Sequence, residues 1–279
     1  MQPFQLRNQA VAKIRDYFKS QGLHEALTQT LVKSTAIEPY IDPIAVDGQV
    51  LITSPEFELK KQICLSESPG LYEIARVFRD DSLSRLHSRQ FTLVEWYRRE
   101  FDYLRLADDV RALVTEVSQA EVNTKSYTVE ELCKEAGVVF ETATSHQEIS
   151  AFNQAFDEKV MPLIGACDEL VCVSEYPSFL RGMAKLNENG RAMRLEVFYK
   201  GVELANGYQE IDDAEELRLL WLENNQLRRA MGKSKHPVDE TLLHLTPNMK
   251  GVAGIALGLE RLLMVIFAID SIGAFDLPA

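Results

Sequence analysis

The stretch FRDDSLSRLHSRQFTLVEWY, residues 78–97, sets two hydrophobic runs on either side of a loop dense in Arg, Asp, Ser and His. The runs 71–79 and 90–98 read as two strands. Along the second, side chains alternate, so Phe91, Leu93, Glu95 and Tyr97 share one face, and Thr92, Val94 and Trp96 share the other. A carboxylate and a phenol beside an aromatic and a leucine fit the wall of a pocket. They also fit a solvent face with scattered apolar residues, which is common on antiparallel sheets.

A second hairpin follows from RLEVFYKGVELANGYQE, residues 194–210. If Lys200–Gly201 is a two-residue turn, Tyr199 pairs with Val202 and Phe198 with Glu203. Cross-strand partners share a face, so Glu196 and Glu203 become diagonal neighbours. Two such carboxylates repel unless a cation lies between them. Oxygen-only ligation suits Mg²⁺ carried in with a phosphate substrate; two solvated glutamates are the alternative. Strict alternation sends Asn206 to the face opposite Glu203, and a bulge at Gly207 would bring it back.

Small residues in GVAGIALGLERLLMVIF, residues 251–267, lead into an apolar helix with Arg261 in its first turn. A helix N-terminus beside a guanidinium is a seat for phosphate.

The remaining pattern supplies helices over 4–21, 103–120, 128–136, 146–164, 212–232 and 258–268. A further helix follows Ser54, which is placed to cap it, with Pro55 at its first position. Thr128 is placed to cap the helix that Gly137 stops, and Arg228 and Arg229 end 212–232 in agreement with the helix dipole. Short strands are expected at 50–53, 168–174 and 252–257. Strands in hairpins, mixed with helices that do not alternate regularly, predict an α+β domain: an antiparallel sheet with helices packed on it. The helical segment at about 104–165 reads as an insertion between sheet strands.

The chain has 279 residues, 46% hydrophobic and 26% charged, enough for one large core. No run approaches the ~18 apolar residues of a membrane span, and the first residues lack the apolar stretch of a signal peptide. A soluble cytoplasmic protein is the expectation. Cys64, Cys133, Cys167 and Cys172 form no CxxC pair and read as reduced core thiols. The net charge of −12 argues against binding nucleic acid without sequence preference.

Taken together, these segments resemble the catalytic core of a class II aminoacyl-tRNA synthetase. FRDDSLSRLHSRQFTLVEWY is similar to that class's second motif, and GIALGLERLLM to its third. TSPEFELK, EVFYKGVELANGYQE and HPVDE resemble the lysine-specific branch. SPEF, EWYR, YKGVELANG and GIALGLER are closer still to the stand-alone elongation factor P β-lysine ligase family, in which alanine replaces a glycine of the third motif; Ala256 matches it. The match covers nearly the whole chain and includes no anticodon-binding barrel, so residues 1–279 are expected to form one catalytic domain.

The resemblance implies a ligase that activates lysine or (R)-β-lysine with ATP and transfers it to a lysine side chain of elongation factor P. Phe91 would stack on adenine, and Arg261 would enclose it from the other side or hold the γ-phosphate. Arg79 would hold the α-phosphate, with Arg79 and Arg261 the catalytic pair. Asp81 would contact adenine, Arg85 and His87 would reach the outer phosphates, and Glu196 and Glu203 would carry Mg²⁺. Glu56, Glu95, Tyr97, Asn206, Glu210 and Ala256 would read the amino acid. A homodimer is implied, and tRNA is not expected as a partner.

Three departures stand out. Ser88-Arg89-Gln90 replaces the usual Asn-Pro-Glu, Asp80-Asp81 replaces Asn-Glu, and Thr28-Gln29 replaces the Thr-Pro that ends the first motif. Two other readings remain: a lysyl-tRNA synthetase-like ligase with another acceptor, and a non-catalytic regulator binding amino acid or nucleotide.

Overall fold

The structure, a computed structural model, describes residues 2–139, 142–143 and 145–275. Helix α1 (Pro3–Ser20) opens the chain, with Ala10, Ile14 and Phe18 on its buried face. Short strands β1 (His24–Glu25), β2 (Leu31–Val32), β3 (Ala45–Val46) and β4 (Gln49–Leu51) precede helix α2 (Glu56–Leu65). Ser54 Oγ accepts from the Glu56 N–H at 3.4 Å, while Pro55 stands one position before the first helical residue.

Strands β5 (Gly70–Phe78) and β6 (Gln90–Arg98) form the first hairpin, from Gly70 opposite Arg98 to Phe78 opposite Gln90. Helix α3 (Leu106–Ser118), strand β7 (Thr124–Thr128) and helix α4 (Val129–Ala136) come next. Helix α4 starts in a capping box of Thr128 and Glu131 and stops at Gly137, where a φ of +65° suits glycine. Helices α5 (His146–Ala155) and α6 (Met161–Gly165) are joined by a π-helical turn. Strands β8 (Leu170–Tyr176), β9 (Ala192–Tyr199) and β10 (Val202–Gln209) follow, the last two turning at Lys200–Gly201. Helices α7 (Ala214–Ala230) and α8 (Glu240–Leu245), strand β11 (Ala253–Gly258) and helix α9 (Leu259–Ile266) complete the described chain.

Eight strands form one sheet in the order β1-β5-β6-β11-β10-β9-β8-β7, and β2, β4 and β3 form a small second one. The central strands pair antiparallel, as expected. Both edges do not: β1 runs parallel to β5, and β7 parallel to β8. These edge strands reach their partners through long connections rather than turns, which permits parallel pairing. The segment 104–165 therefore holds a sheet strand, β7, as well as helices; its residues Phe140, Glu141 and Thr144 lie outside the described residues.

On one face of the sheet, helices α1, α3 and α9 bury Val94, Trp96, Val197, Ile255 and Leu257. Within this core Asp109 accepts from Trp96 Nε1 at 2.9 Å, from Arg98 twice at 2.7 Å, and from the Tyr17 hydroxyl at 2.6 Å. Asp109→Ala would strand a half-buried guanidinium, and is expected to cost about 3 kcal/mol in urea unfolding. A loss below about 1 kcal/mol would show that Arg98 finds solvent instead.

Besides a cluster of Val32, Ile52, Val77 and Leu93, the other face carries two separate apolar clusters. One, under α7 and α4–α6, includes Phe156, Val173, Phe198 and Trp221. The other, under α2, includes Leu59, Ile63 and Met249. Between them, over β6, β11 and β10, lies a cavity.

Candidate active site

The cavity floor follows from sheet register. Glu95 stands opposite Ala256, Ala256 opposite Asn206, and Asn206 opposite Glu196. The next row is Tyr97, Gly254, Tyr208 and Arg194. Strand β11 thus offers Gly254, Ala256 and Gly258 to the cavity and turns Ile255 and Leu257 to the helices. Small residues are required here: a Cβ on Gly254 would come within 2.2 Å of the Tyr97 ring and 3.0 Å of Glu210 Oε1.

Asn206 reaches this face by a bulge, but not the one at Gly207 that the sequence suggests. The β9–β10 register shifts between Glu203 and Ala205, so Leu204 is the extra residue. Gly207 sits in regular register opposite Leu195 and Ile255. It is glycine because a Cβ there would meet Ile255 Cβ at 2.6 Å and Gly254 O at 2.7 Å.

The cavity has a volume of about 260 Å³. Glu56, Glu95, Tyr97, Asn206, Glu210 and Ala256 all line it, so the structure brings together the whole set expected to read the amino acid. The three acids are buried. The Tyr97 hydroxyl donates to Glu95 Oε1 at 2.8 Å. Lys60 Nζ lies 2.6 Å from Glu56 Oε1 and 2.6 Å from Glu210 Oε2. The opposite oxygens, Glu95 Oε2 and Glu210 Oε1, are buried with no partner. Burial pushes the Glu210 carboxyl up to about 7, against the pull of Lys60 and with the repulsion of Glu56. Burial, helped by Glu56, holds Glu95 well above the usual carboxylate range. Such a cluster is short of positive charge.

A second group lies at the cavity's other end. Arg79 sits over the Phe91 ring, its guanidinium carbon 5.0 Å from the centroid, and its Nε donates to Thr53 O at 3.3 Å. Asp81, His87, Phe91 and Arg261 also line the cavity. Arg261 reaches the Glu203 carboxylate at 3.3 Å and His87 Nε2 at 3.2 Å. Burial and the neighbouring Arg261 lower the His87 pKa, favouring the neutral ring. Arg85 does not line the cavity; its Nε donates to Asp270 O at 2.7 Å, which ties it to the C-terminal segment.

Glu196 and Glu203 are near neighbours on β9 and β10, facing an adjoining cleft of about 980 Å³. The charge balance that the sequence assigns to a metal ion is partly met by side chains. Arg194 and the Tyr176 hydroxyl, at 2.5 Å, hold Glu196, and Arg261 approaches Glu203. Among the described residues no third His, Cys, Asp or Glu joins them to hold an ion. Two carboxylates fit Mg²⁺ only with phosphate oxygens completing the shell, which is the oxygen-only donor set this ion takes.

Sequence reasoning missed Lys60, Arg194, Glu38 and Arg228. Spacing alone makes Glu56–Lys60 an ordinary (i, i+4) helix pair. Arg228, which the sequence assigns to the dipole of α7, is instead buried. It donates to Glu38 O and Ile41 O at 2.9 Å each and to Asp42 at 2.6 Å. That clamp brings Glu38 and Ile41 to the cavity wall.

The chain matches the family described as tRNA synthetases class II (D, K and N) over residues 1–275. Among curated proteins it is similar to elongation factor P–(R)-beta-lysine ligases. The protein of Sodalis glossinidius is 31% identical, covering 93% of this chain and 89% of that one. That of Haemophilus influenzae is 30% identical over 95% and 91%, and that of Pectobacterium atrosepticum 29% over 93% and 89%.

Proposed function

Because the chain belongs to the class II (D, K and N) tRNA synthetase family, and within it to the elongation factor P–(R)-beta-lysine ligases, we propose that it forms an adenylate of lysine or (R)-β-lysine and transfers the acyl group to a lysine side chain of elongation factor P. It is an ATP-dependent amino-acid ligase. The observation that carries the substrate reading is the pair of buried, partnerless oxygens, Glu95 Oε2 and Glu210 Oε1, at the end of the cavity where Glu56 also lies. A substrate ammonium would satisfy both. A neutral side chain would leave them desolvated and unpaired, which is how a site rejects an analogue lacking the charge.

In this reading Arg79 takes the substrate carboxylate and the α-phosphate and stabilises the charge that develops on phosphorus. Phe91 stacks on adenine, with Arg261 enclosing it or on the γ-phosphate. Asp81 contacts the base, and His87, held neutral, donates or accepts at the outer phosphates without adding charge. Glu196 and Glu203 would hold Mg²⁺, which neutralises phosphate charge when bound. Ala256, between Glu95 and Asn206, shapes the floor near the amino group. No side-chain nucleophile is required; positioning and electrostatics do the chemistry.

We also take the chain to act in the cytoplasm as a homodimer and not to charge tRNA. Among the described residues no helix is long and apolar enough to cross a membrane.

The test is pyrophosphate exchange into ATP dependent on lysine or (R)-β-lysine, followed by mass measurement of elongation factor P after incubation. Exchange and a mass gain of one acyl group are expected. Absence of exchange with both amino acids overturns the enzyme assignment, and exchange followed by transfer to tRNA alone overturns the acceptor.

A further inference from the structure

Lys60 has no role in the assignments above, yet it touches two of the three acids. Its Nζ lies 2.6 Å from Glu56, one helical turn earlier on α2, and 2.6 Å from Glu210 at the end of β10. Its side chain is only 7% exposed. It does not line the cavity, so it stands behind the carboxylates rather than among them. Each acid spends one oxygen on Lys60; the other oxygen of Glu210 is left partnerless.

We infer that Lys60 is a positioning and specificity-determining residue: a resident counter-cation that turns the free oxygens of Glu56 and Glu210 toward the substrate and offsets one carboxylate of the Glu56, Glu95 and Glu210 cluster, leaving two for an amino acid bearing two ammonium groups. The inference deepens the functional reading above and rests on it. Three buried acids alone would resist ionising together, because each disfavours charge on the others. One fixed ammonium lessens that conflict without occupying the cavity. A substrate with a single ammonium would then leave one acid unbalanced, and a neutral one would leave two.

The surroundings agree. Burial works against the Lys60 ammonium, but Glu210 and Glu56 outweigh it and hold its pKa above the ordinary lysine value. On α2, Cys64 also senses Lys60 and Glu210. From β6, Glu95 and the Tyr97 hydroxyl face the same acids. From the segment before β3, Glu38 senses Glu56 and Lys60, with Arg79 and Arg194 beyond it. Lys60 is the cation in direct contact with Glu56 and Glu210.

The sign of the pH dependence follows. Ammonium binding needs the acids ionised. Without Lys60 their pKa values rise, so binding weakens at neutral pH and recovers as pH rises. An opposite charge this close is worth about 1–3 pKa units, each about tenfold in the ionised fraction. In Lys60→Met, the acid limb of kcat/KM for the amino acid in pyrophosphate exchange should move up by about 1–3 pH units. KM at pH 7 should rise about fivefold or more and fall back toward the wild-type value as pH rises through the shifted limb. Lys60→Arg, which keeps the charge, should leave the limb near its wild-type position.

A KM raised by the same factor at every pH, or an unmoved limb, would mean that Lys60 only packs α2 against β10 and would overturn the inference. Should Lys60→Met fail to fold, the wild-type protein decides. Calorimetry in buffers of different ionisation enthalpy should show net proton release on amino-acid binding at pH 7, since burial holds Glu95 and Glu210 above the usual carboxylate range even with Lys60 in place. Absence of any proton release would count against it. Failure of wild-type exchange would instead sink the functional reading itself, so the two failures are distinguishable.

Discussion

Glu95→Gln is expected to raise KM for the amino acid by ~10²–10³ while leaving KM for ATP within about threefold. The substitution keeps the shape of the side chain and removes its charge. Glu95 is buried, and its Oε2 has no partner until a cation arrives. A buried, hydrogen-bonded charge pair typically loses 2–5 kcal/mol, roughly 30- to 4000-fold, when one member is neutralised. The free protein should respond in the opposite sense. It holds a desolvated carboxylate beside Glu56 and Glu210, and a neutral amide relieves that repulsion. Thermal unfolding of Glu95→Gln should therefore occur at the wild-type temperature or higher. A variant that loses both substrate affinity and stability would show that Glu95 is a structural acid.

The second large effect is expected at the other end of the cavity. Arg79→Ala should lower kcat for pyrophosphate exchange by ~10²–10³, the usual scale for removing one preorganised donor from a site of developing charge. Arg79 is held ready for that task. Its Nε is fixed on Thr53 O, and its guanidinium carbon lies 5.0 Å from the Phe91 centroid, within reach of a cation–π contact. Arg79→Lys should recover little, because a lysine ammonium reproduces neither the planar stack nor the forked geometry. Near-wild-type kcat in Arg79→Ala would remove it from the chemistry.

Most of the fold is legible wherever local signals act. Alternation reads the 70–98 hairpin, Lys200–Gly201 sets the pairing of Tyr199 with Val202, and Thr128 and Gly137 bound α4. Parallel edges are not legible, because β1 and β7 find β5 and β8 across long stretches that carry no turn signature. The bulge escapes for a related reason. A glycine invites the suspicion of irregularity, yet Gly207 serves close strand approach, and Leu204, a buried leucine like any other, carries the irregularity. The acids of the site stand out because carboxylates are out of place on apolar strands. Lys60 and Arg228 do not, since a cation on a helix is ordinary until its burial is known. Arg85 stands apart for the converse reason: a loop arginine is free to turn either way, and here it lies on Asp270 O.

Leu204 gives strand β10 two phases in place of one. Glu203 counts its facing from the Lys200–Gly201 turn, whereas Asn206, Tyr208 and Glu210 count theirs from beyond the extra residue. For descent by mutation, this divides one strand into two segments that tolerate substitution but not a change in length. Losing a single residue between them would roll Asn206, Tyr208 and Glu210 toward the helices and present Ala205, Gly207 and Gln209 in their stead. The ladder would survive and the recognition surface would be exchanged at one stroke. A gap at this point in a comparison of related chains would thus mark a change of substrate more reliably than any single replacement among the acids.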